Sequence, residues 1–255
     1  HGITVVVPEN RRINQDILVV PDRKYKVRSG QVVMVEIIEQ PSRHSQPIGK
    51  IIEVLGNYAD PGMEIEIALR KHELPFEFSP KVAAETKALP DKVRKTEWAG
   101  RKDLRDLPLV TIDGETAKDF DDAVFAEKDG RGWRLVVAIA DVSHYVRPGM
   151  ALDREAMERG NSVYFPRRVI PMLPEKLSNG LCSLNPDVER LAMVCDMNIG
   201  STGKIKTYAF YPAVFRSKAR LTYNQVWSWL DGGAQPENEV HRELLPQLEI
   251  GRAHV

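Results

Sequence analysis

The 255-residue chain has little of what marks several protein classes. Cysteine is almost missing. Cys182 and Cys195 are the only two, they form no zinc-type spacing, and a pair in this length makes no disulfide framework. Each is expected as a small buried apolar side chain, and a reducing cytoplasm is the expected location. Long apolar runs are missing too. The longest clear one, LVVAIA at 135–140, is far too short to span a bilayer, so no membrane partner is expected. The opening, HGITVVVPEN, has neither the charged segment nor the long apolar core of a signal peptide. It begins with His1 rather than Met, and a fragment of a longer protein is expected. Net charge is zero, with 36 basic side chains against 36 acidic ones, so composition alone announces no nucleic-acid binder. Repeats and low-complexity tracts are absent. DGRG at 129–132 lacks the spacing of a dinucleotide or P-loop motif and reads as a turn. No G-x-S-x-G elbow accompanies Ser143 and His144, which excludes a Ser/His/Asp hydrolase of that type.

What is present suits a folded globular chain: 42% hydrophobic and 28% charged residues. The charges are unevenly placed. Residues 11–50 carry eight Lys/Arg against four Asp/Glu, and 200–220 carry five against none. Such strips read either as solvated faces or as contacts for a polyanion. ITVVV, DILVV, QVVMVEIIEQ, IGKIIEVLG and MEIEIAL fall within the first seventy residues as β-branched runs between turn-rich segments. Five short strands at that spacing predict a small OB-type barrel. SPKVAAETKAL then predicts a helix stopped by Pro90, and DKVRKTEW a second. DDAVFAEKDGRGWRLVVAIADV predicts a hairpin, LDREAMERG a helix ended at Gly160, and residues 190–215 a strand pair. Thr222 and Gln225 predict a capping box on TYNQVWSWL.

TIDGETAKDFDDAV, residues 111–124, holds five acids and one base. Like charges this close repel unless water or a cation lies between them, so the run is a solvated turn or a metal site. Two-metal phosphoryl-transfer sites place hard oxygen ligands around ions roughly 3.5–4 Å apart, and Asp113, Asp119, Asp121 and Asp122 suit that. On extended backbone Asp119 and Asp121 point one way and Asp122 the other. A bend must gather them, with Asp113 reaching in from the preceding strand. Gly114 is expected to permit a sharp exit there. Mg²⁺, with Mn²⁺ as a substitute, is the expected ion because nothing soft lies near. A calcium loop of the EF-hand type fails, since its Gly and Glu would be misplaced.

The surrounding words add to this. TIDGETAKDFDDAV, VAIADVSHYV, GNSVYFPRRVIPMLPEKLSNGLCSLNP and ARLTY together resemble the ribonuclease II/ribonuclease R (RNB) family of 3′→5′ exoribonucleases, over nearly the whole chain. The resemblance implies an α+β chain. Residues 1–70 would be a cold-shock (OB-like) domain clipped at its start, 71–99 a connector, and 100–255 the N-terminal part of a mixed α/β RNB catalytic domain. It implies Mg²⁺-dependent, processive hydrolysis of RNA from a single-stranded 3′ end, releasing nucleoside 5′-monophosphates. The family's four motif aspartates match Asp113, Asp119, Asp121 and Asp122, and the tyrosine that holds its 3′-terminal nucleotide matches Tyr164. It also implies a catalytic arginine, channel-lining segments and an S1 domain beyond residue 255, and a further cold-shock domain before residue 1. The isolated chain is therefore expected to be inactive or nearly so.

Other residues are read with both meanings open. Tyr164 offers an aromatic face for a base and a phenol for a phosphate or ribose; Phe165 beside it is expected in the core. Arg167 and Arg168 are candidates for RNA phosphates. Lys24, Tyr25 and Lys26 mix charge with an aromatic ring as single-strand binders do, or form a solvated loop. His144 is expected at a strand end or as a support behind the site's ligands, and Asp141 is a candidate for orienting metal ligands. A monomer is expected. The rival reading is a non-catalytic single-stranded RNA-binding module, and a metal-binding structural protein ranks third.

Overall fold

The structure, a computed structural model, describes residues 4–20 and 24–252. Ile3 of the first expected strand, and residues 253–255, lie outside the described residues. The chain divides into two compact units, His1–Pro75 and Phe76–Val255.

In the first unit β1 (Thr4–Val6), β2 (Ile17–Val19), β3 (Gln31–Glu39) and β4 (Ile48–Asn57) form one sheet in the order β1-β2-β4-β3. The fifth expected strand is instead a helix, α1 (Met63–Lys71). MEIEIAL alternates as a strand would, but its ends favour a helix. Gly62 takes a left-handed φ of 85° at the N-terminus, Glu64 and Glu66 fill the first turn, and Arg70 and Lys71 the last, as the helix dipole prefers. Arg70 then bonds Glu66 one turn back and Glu53 of β4 at 2.6 Å. Met63 and Leu69 are buried, which gives the helix its apolar side.

The second unit begins with α2 (Pro80–Ala88), capped by the Ser79 hydroxyl and with Pro80 at its first position. DKVRKTEW makes only a short 3₁₀ turn, Lys95–Trp98. Much of the expected connector thus belongs to this unit: Val82, Leu89, Val93 and Trp98 pack into its main core. Next come β5 (Lys102–Asp103), β6 (Val110–Asp113), β7 (Asp122–Asp129) and β8 (Gly132–Ala140). They are followed by α3 (Val142–Tyr145), α4 (Ala151–Arg159), β9 (Val163–Phe165) and β10 (Arg168–Ile170). After a π-helical turn, Lys176–Leu181, come β11 (Glu189–Ile199), β12 (Ile205–Arg216), β13 (Ala219–Thr222), α5 (Tyr223–Leu230) and α6 (Glu239–Arg252). A seven-stranded sheet runs β13-β6-β7-β8-β11-β12-β5.

The expected hairpin is β7–β8, closed by Gly130 and Arg131, with Asp129 opposite Gly132. Gly132 is needed there because a Cβ would stand 2.1 Å from the Ile199 carbonyl oxygen. One core, holding Ala123, Phe125, Val136, Ala138, Val194 and Phe215, lies on one face of the sheet. A second joins Val110 and Leu221 to Trp229, Leu244 and Leu248 of α5 and α6. The Thr222–Gln225 capping box starts α5 as predicted. Gly160 ends α4 with φ 74°. Cys182 is buried and Cys195 half-buried, and neither is in a disulfide.

Candidate active site

The four aspartates stand where two neighbouring strands meet their loop. Asp113 ends β6, Asp122 opens β7, and the loop between carries Asp119 and Asp121. Val110 lies opposite Val124, so the two ends of the loop are held side by side. Between Asp119 and Asp121 the Phe120 ring turns inward and is 3% exposed. On either side of this apolar anchor Asp119 is half-buried and Asp121 exposed. Gly114 is not required by its conformation. Its φ is not left-handed, and a Cβ there would meet open space.

The loop backbone is held from three directions. Ala140 N–H donates to the Asp121 carbonyl at 2.9 Å, and Leu184 N–H to the Phe120 carbonyl at 2.8 Å. Ser183, fully buried, accepts from Phe120 N–H at 3.1 Å and donates to the Lys118 carbonyl at 2.8 Å. Arg220 donates through Nη2 to the carbonyls of Glu115 at 2.6 Å, Gly114 at 3.3 Å and Ala117 at 3.4 Å. Its guanidinium lies 5.1 Å from the Phe120 ring centre. Arg220 arrives because β13 runs parallel to β6, with Arg220 beside Thr111 and Thr222 beside Asp113. Sequence reasoning assigned no role to Ser183 or Arg220. Both lie inside stretches that carried the family resemblance, but no local pattern ties them to the loop.

The carboxylates feel one another. Burial, then Asp122 and Asp119, push the Asp113 carboxyl up from its ordinary pKa, and Arg220 opposes them. Asp121 is raised by desolvation and then by Asp119, Asp122 and Asp113, although the residue as a whole is exposed. Asp113 Oδ2 is buried and has no hydrogen-bond partner among the described residues. The donor set is hard, anionic and under-compensated, which fits a divalent cation such as Mg²⁺. The side chains do not stand converged on one. Among the described residues, no group of three or more His, Cys, Asp or Glu could hold a metal ion as placed.

Tyr164 lies on the β9–β10 hairpin, and its hydroxyl donates to Asp119 Oδ2 at 2.6 Å. Tyr164 is 64% exposed, and Phe165, expected in the core, is only half-buried and belongs to neither core cluster. Arg167 is exposed at the turn of that hairpin. Arg168 pairs with Phe165 across the ladder, whereas Val169 pairs with Tyr164, so Arg168 is on the opposite face from Tyr164. Lys24, Tyr25 and Lys26 belong to the first unit, not the one with the aspartates. There the Lys24 ammonium lies 5.0 Å from the Tyr25 ring, and the Tyr25 hydroxyl donates to the Ile52 carbonyl at 2.5 Å. His144 is on α3, just past the end of β8, and bonds Glu97 at 2.8 Å. Asp141 accepts from Arg101 at 2.6 Å and Ser143 at 2.7 Å. Asp122 also borders a largely apolar groove beside α5, lined by Val124, Leu135, Val226 and Trp227.

A model of the RNB domain matches residues 101–253. The chain belongs to the RNB family. A Cold shock domain model matches residues 6–79, so the RNB part follows an OB-type domain, as the α+β reading expects. Ribonuclease R of Escherichia coli (strain K12) is 55% identical over 249 residues, 97% of this chain and 30% of that protein. The solved structure of Mycoplasma genitalium RNase R in complex with double-stranded RNA gives a TM-score of 0.85 at 33% identity, covering 96% of this chain and 45% of that one. This RNB chain thus spans less than half the length of either relative. Yeast Ssd1, a pseudonuclease, gives a TM-score of 0.66 at 20% identity, a likeness of fold alone. Among the described residues, no helix is long and apolar enough to cross a membrane.

Proposed function

We propose that this chain supplies the acidic centre and an RNA-binding domain of a Mg²⁺-dependent 3′→5′ exoribonuclease that acts processively on single-stranded 3′ ends in the cytoplasm, as a monomer. The observation that carries the reading is the gathering of Asp113, Asp119, Asp121 and Asp122 on one clamped loop and the strand ends that flank it, with a buried Asp113 oxygen unpaired among the described residues. These four would hold the divalent cation, with Mn²⁺ as a substitute. When bound, the cation supplies positive charge to the scissile phosphodiester and favours the attack of water. The chain's own residues do the rest. Asp119 fixes the Tyr164 hydroxyl, which leaves the exposed ring to stack on the terminal base. Arg167 meets the backbone phosphates, with Arg168 a weaker candidate on the other face, and Lys24, Tyr25 and Lys26 bind the strand upstream. Hydrolysis breaks the bond between phosphorus and the 3′ oxygen, so a nucleoside 5′-monophosphate leaves.

The test has two arms. Calorimetric binding of Mn²⁺ should be present in the wild type and weakened in Asp121→Asn and Asp122→Asn; equal binding by all three would remove the metal site. A 5′-labelled oligo(A) with Mg²⁺ should be shortened little by the 255-residue chain alone. Holding a reactant at attack distance is worth roughly 7–11 kcal/mol, and the family's arginine is not among the residues gathered here. The rival reading, a non-catalytic RNA-binding module, draws on the carboxylates not being converged. It requires RNA binding that no aspartate substitution alters and no cleavage in a longer form carrying the rest of the family's catalytic domain.

A further inference from the structure

We infer that Arg220 and Ser183 are positioning residues for the acidic centre: they set the backbone path on which Asp113, Asp119 and Asp121 are carried, before any cation binds. This rests on the reading of the aspartates as cation ligands. A loop of like charges has an electrostatic reason to open. Here each part of it is tied to a group that is not acidic. Arg220 spans the first half through the carbonyls of Gly114, Glu115 and Ala117. Ser183 spans the second half, satisfying Phe120 N–H and the Lys118 carbonyl on either side of Asp119. The two brackets meet at Phe120, whose ring Arg220 overlies and whose amide Ser183 holds.

The chemistry of each bracket fits that task. Nη2 carries two N–H donors in the guanidinium plane, so the three carbonyls share them, with Glu115 nearest at 2.6 Å, while the charge faces Asp113. A lysine keeps the charge but not the fork. A buried hydroxyl both donates and accepts, so a single Ser183 satisfies the buried Phe120 N–H and the Lys118 carbonyl together. Alanine there leaves both unpaired. The Arg220 Nε, Thr111 Oγ1 and Asp113 Oδ2 are each buried without a partner among the described residues, and all three side chains share one face of β6 and β13. Arg220 therefore has donor capacity in hand beside the aspartate that lacks a partner.

The experiment compares wild type with Ser183→Ala, Arg220→Gln and Arg220→Lys. Amide hydrogen exchange is followed over residues 114–121 without metal, and Mn²⁺ affinity is measured by calorimetry on the same samples. Protection of 114–121 should fall in Ser183→Ala and Arg220→Gln while β7–β8 stays protected, which shows that the unit remains folded. Mn²⁺ affinity should fall about tenfold in both, and Arg220→Lys should recover part of it. Unchanged loop protection in both variants overturns the inference. So does faster loop exchange with unaltered Mn²⁺ affinity, since the brackets would then serve the fold alone. A wild type that binds no Mn²⁺ removes the metal reading and this one with it; loop exchange distinguishes that failure from the first.

Discussion

The Tyr164 hydroxyl and the Asp119 carboxylate, 45 residues apart, meet at 2.6 Å, while the tyrosine remains 64% exposed. One side chain thus offers two separable functions. Tyr164→Phe keeps the ring and removes the bond; Tyr164→Ala removes both. If the ring holds the terminal nucleotide, the longer form of the enzyme carrying Tyr164→Ala should stop at a longer end product, because stacking is worth roughly 1–3 kcal/mol per base. Tyr164→Phe should stop where the wild type does. A denaturing gel of the limit products reads this, and identical ladders for all three would remove the role.

The same bond predicts an alkaline titration. The hydrogen bond to Asp119, then desolvation, push the Tyr164 phenol up to about 12. Desolvation, then Asp196, bring Tyr211 to about 12, and burial raises Tyr145. A phenol raised in the folded state contributes stability that is present below its ordinary pKa and lost as pH rises through the folded value. At about pH 11, ultraviolet absorbance should therefore show a class of un-ionised tyrosines that Tyr164→Phe reduces by one. Unaltered amplitude in that variant would show that Asp119 does not hold the phenol.

Without metal, the acidic loop should cost stability. Asp113 and Asp121 have raised carboxyl pKa values in the folded chain. A folded state that binds its protons more tightly loses stability as pH rises out of the carboxylate range. Asp121→Asn should then raise the metal-free melting temperature at neutral pH, by only about 1–2 °C because solvent screens an exposed carboxylate. The gain should vanish near the pH where both states are protonated. With Mn²⁺ the order should reverse, since the wild type gains more binding energy than the variant. A lower melting temperature for metal-free Asp121→Asn would contradict the assignment of repulsion.

Arg101 and Asp141 form a pair at 2.6 Å with side chains only 10% and 8% exposed. Removing one partner of such a pair costs about 3–5 kcal/mol, because the other charge is left buried. Arg101→Met should destabilise the second unit by that order in urea unfolding, and adding Asp141→Leu should recover much of it. Burial acts to raise Asp141, but the bonds from Ser143 and Arg101 outweigh it and hold the carboxyl below its usual range. Its contribution is present above the ordinary carboxylate pKa and is lost as pH falls through the folded value. Ser143→Ala should move the acid unfolding midpoint to higher pH.

In the first unit, Arg70 ties α1 to β4 through Glu53. Arg70→Ala should destabilise that unit by roughly 1.5–3 kcal/mol, the range for hydrogen bonds to charged groups. The unfolding of the second unit should be unaffected. A single coincident loss in both units, followed by the tryptophans of 98–229 and by exchange in 31–57, would show that the pair acts beyond its own unit.

Much of the second unit is written locally. The alternation of 122–140 around a two-residue turn specifies the hairpin, because its strands are neighbours in sequence, and Gly160 and the Thr222–Gln225 box specify helix ends from residues within one turn. The acidic motif is equally legible, since four aspartates in ten residues are conspicuous in any reading. MEIEIAL is not. Its period of two spans seven residues, too few to outweigh the helix-favouring charges at its ends and the Arg70 pair with a strand 17 residues away. DKVRKTEW lacks the length to sustain more than a turn. Tertiary structure alone decided what holds the aspartates. The Arg220 and Ser183 contacts span 105 and 63 residues, and they exist because a parallel strand and a buried turn deliver those side chains to the loop. Sequence periodicity reports the environment along an element, and it carries no information about which distant donor will reach a given carbonyl.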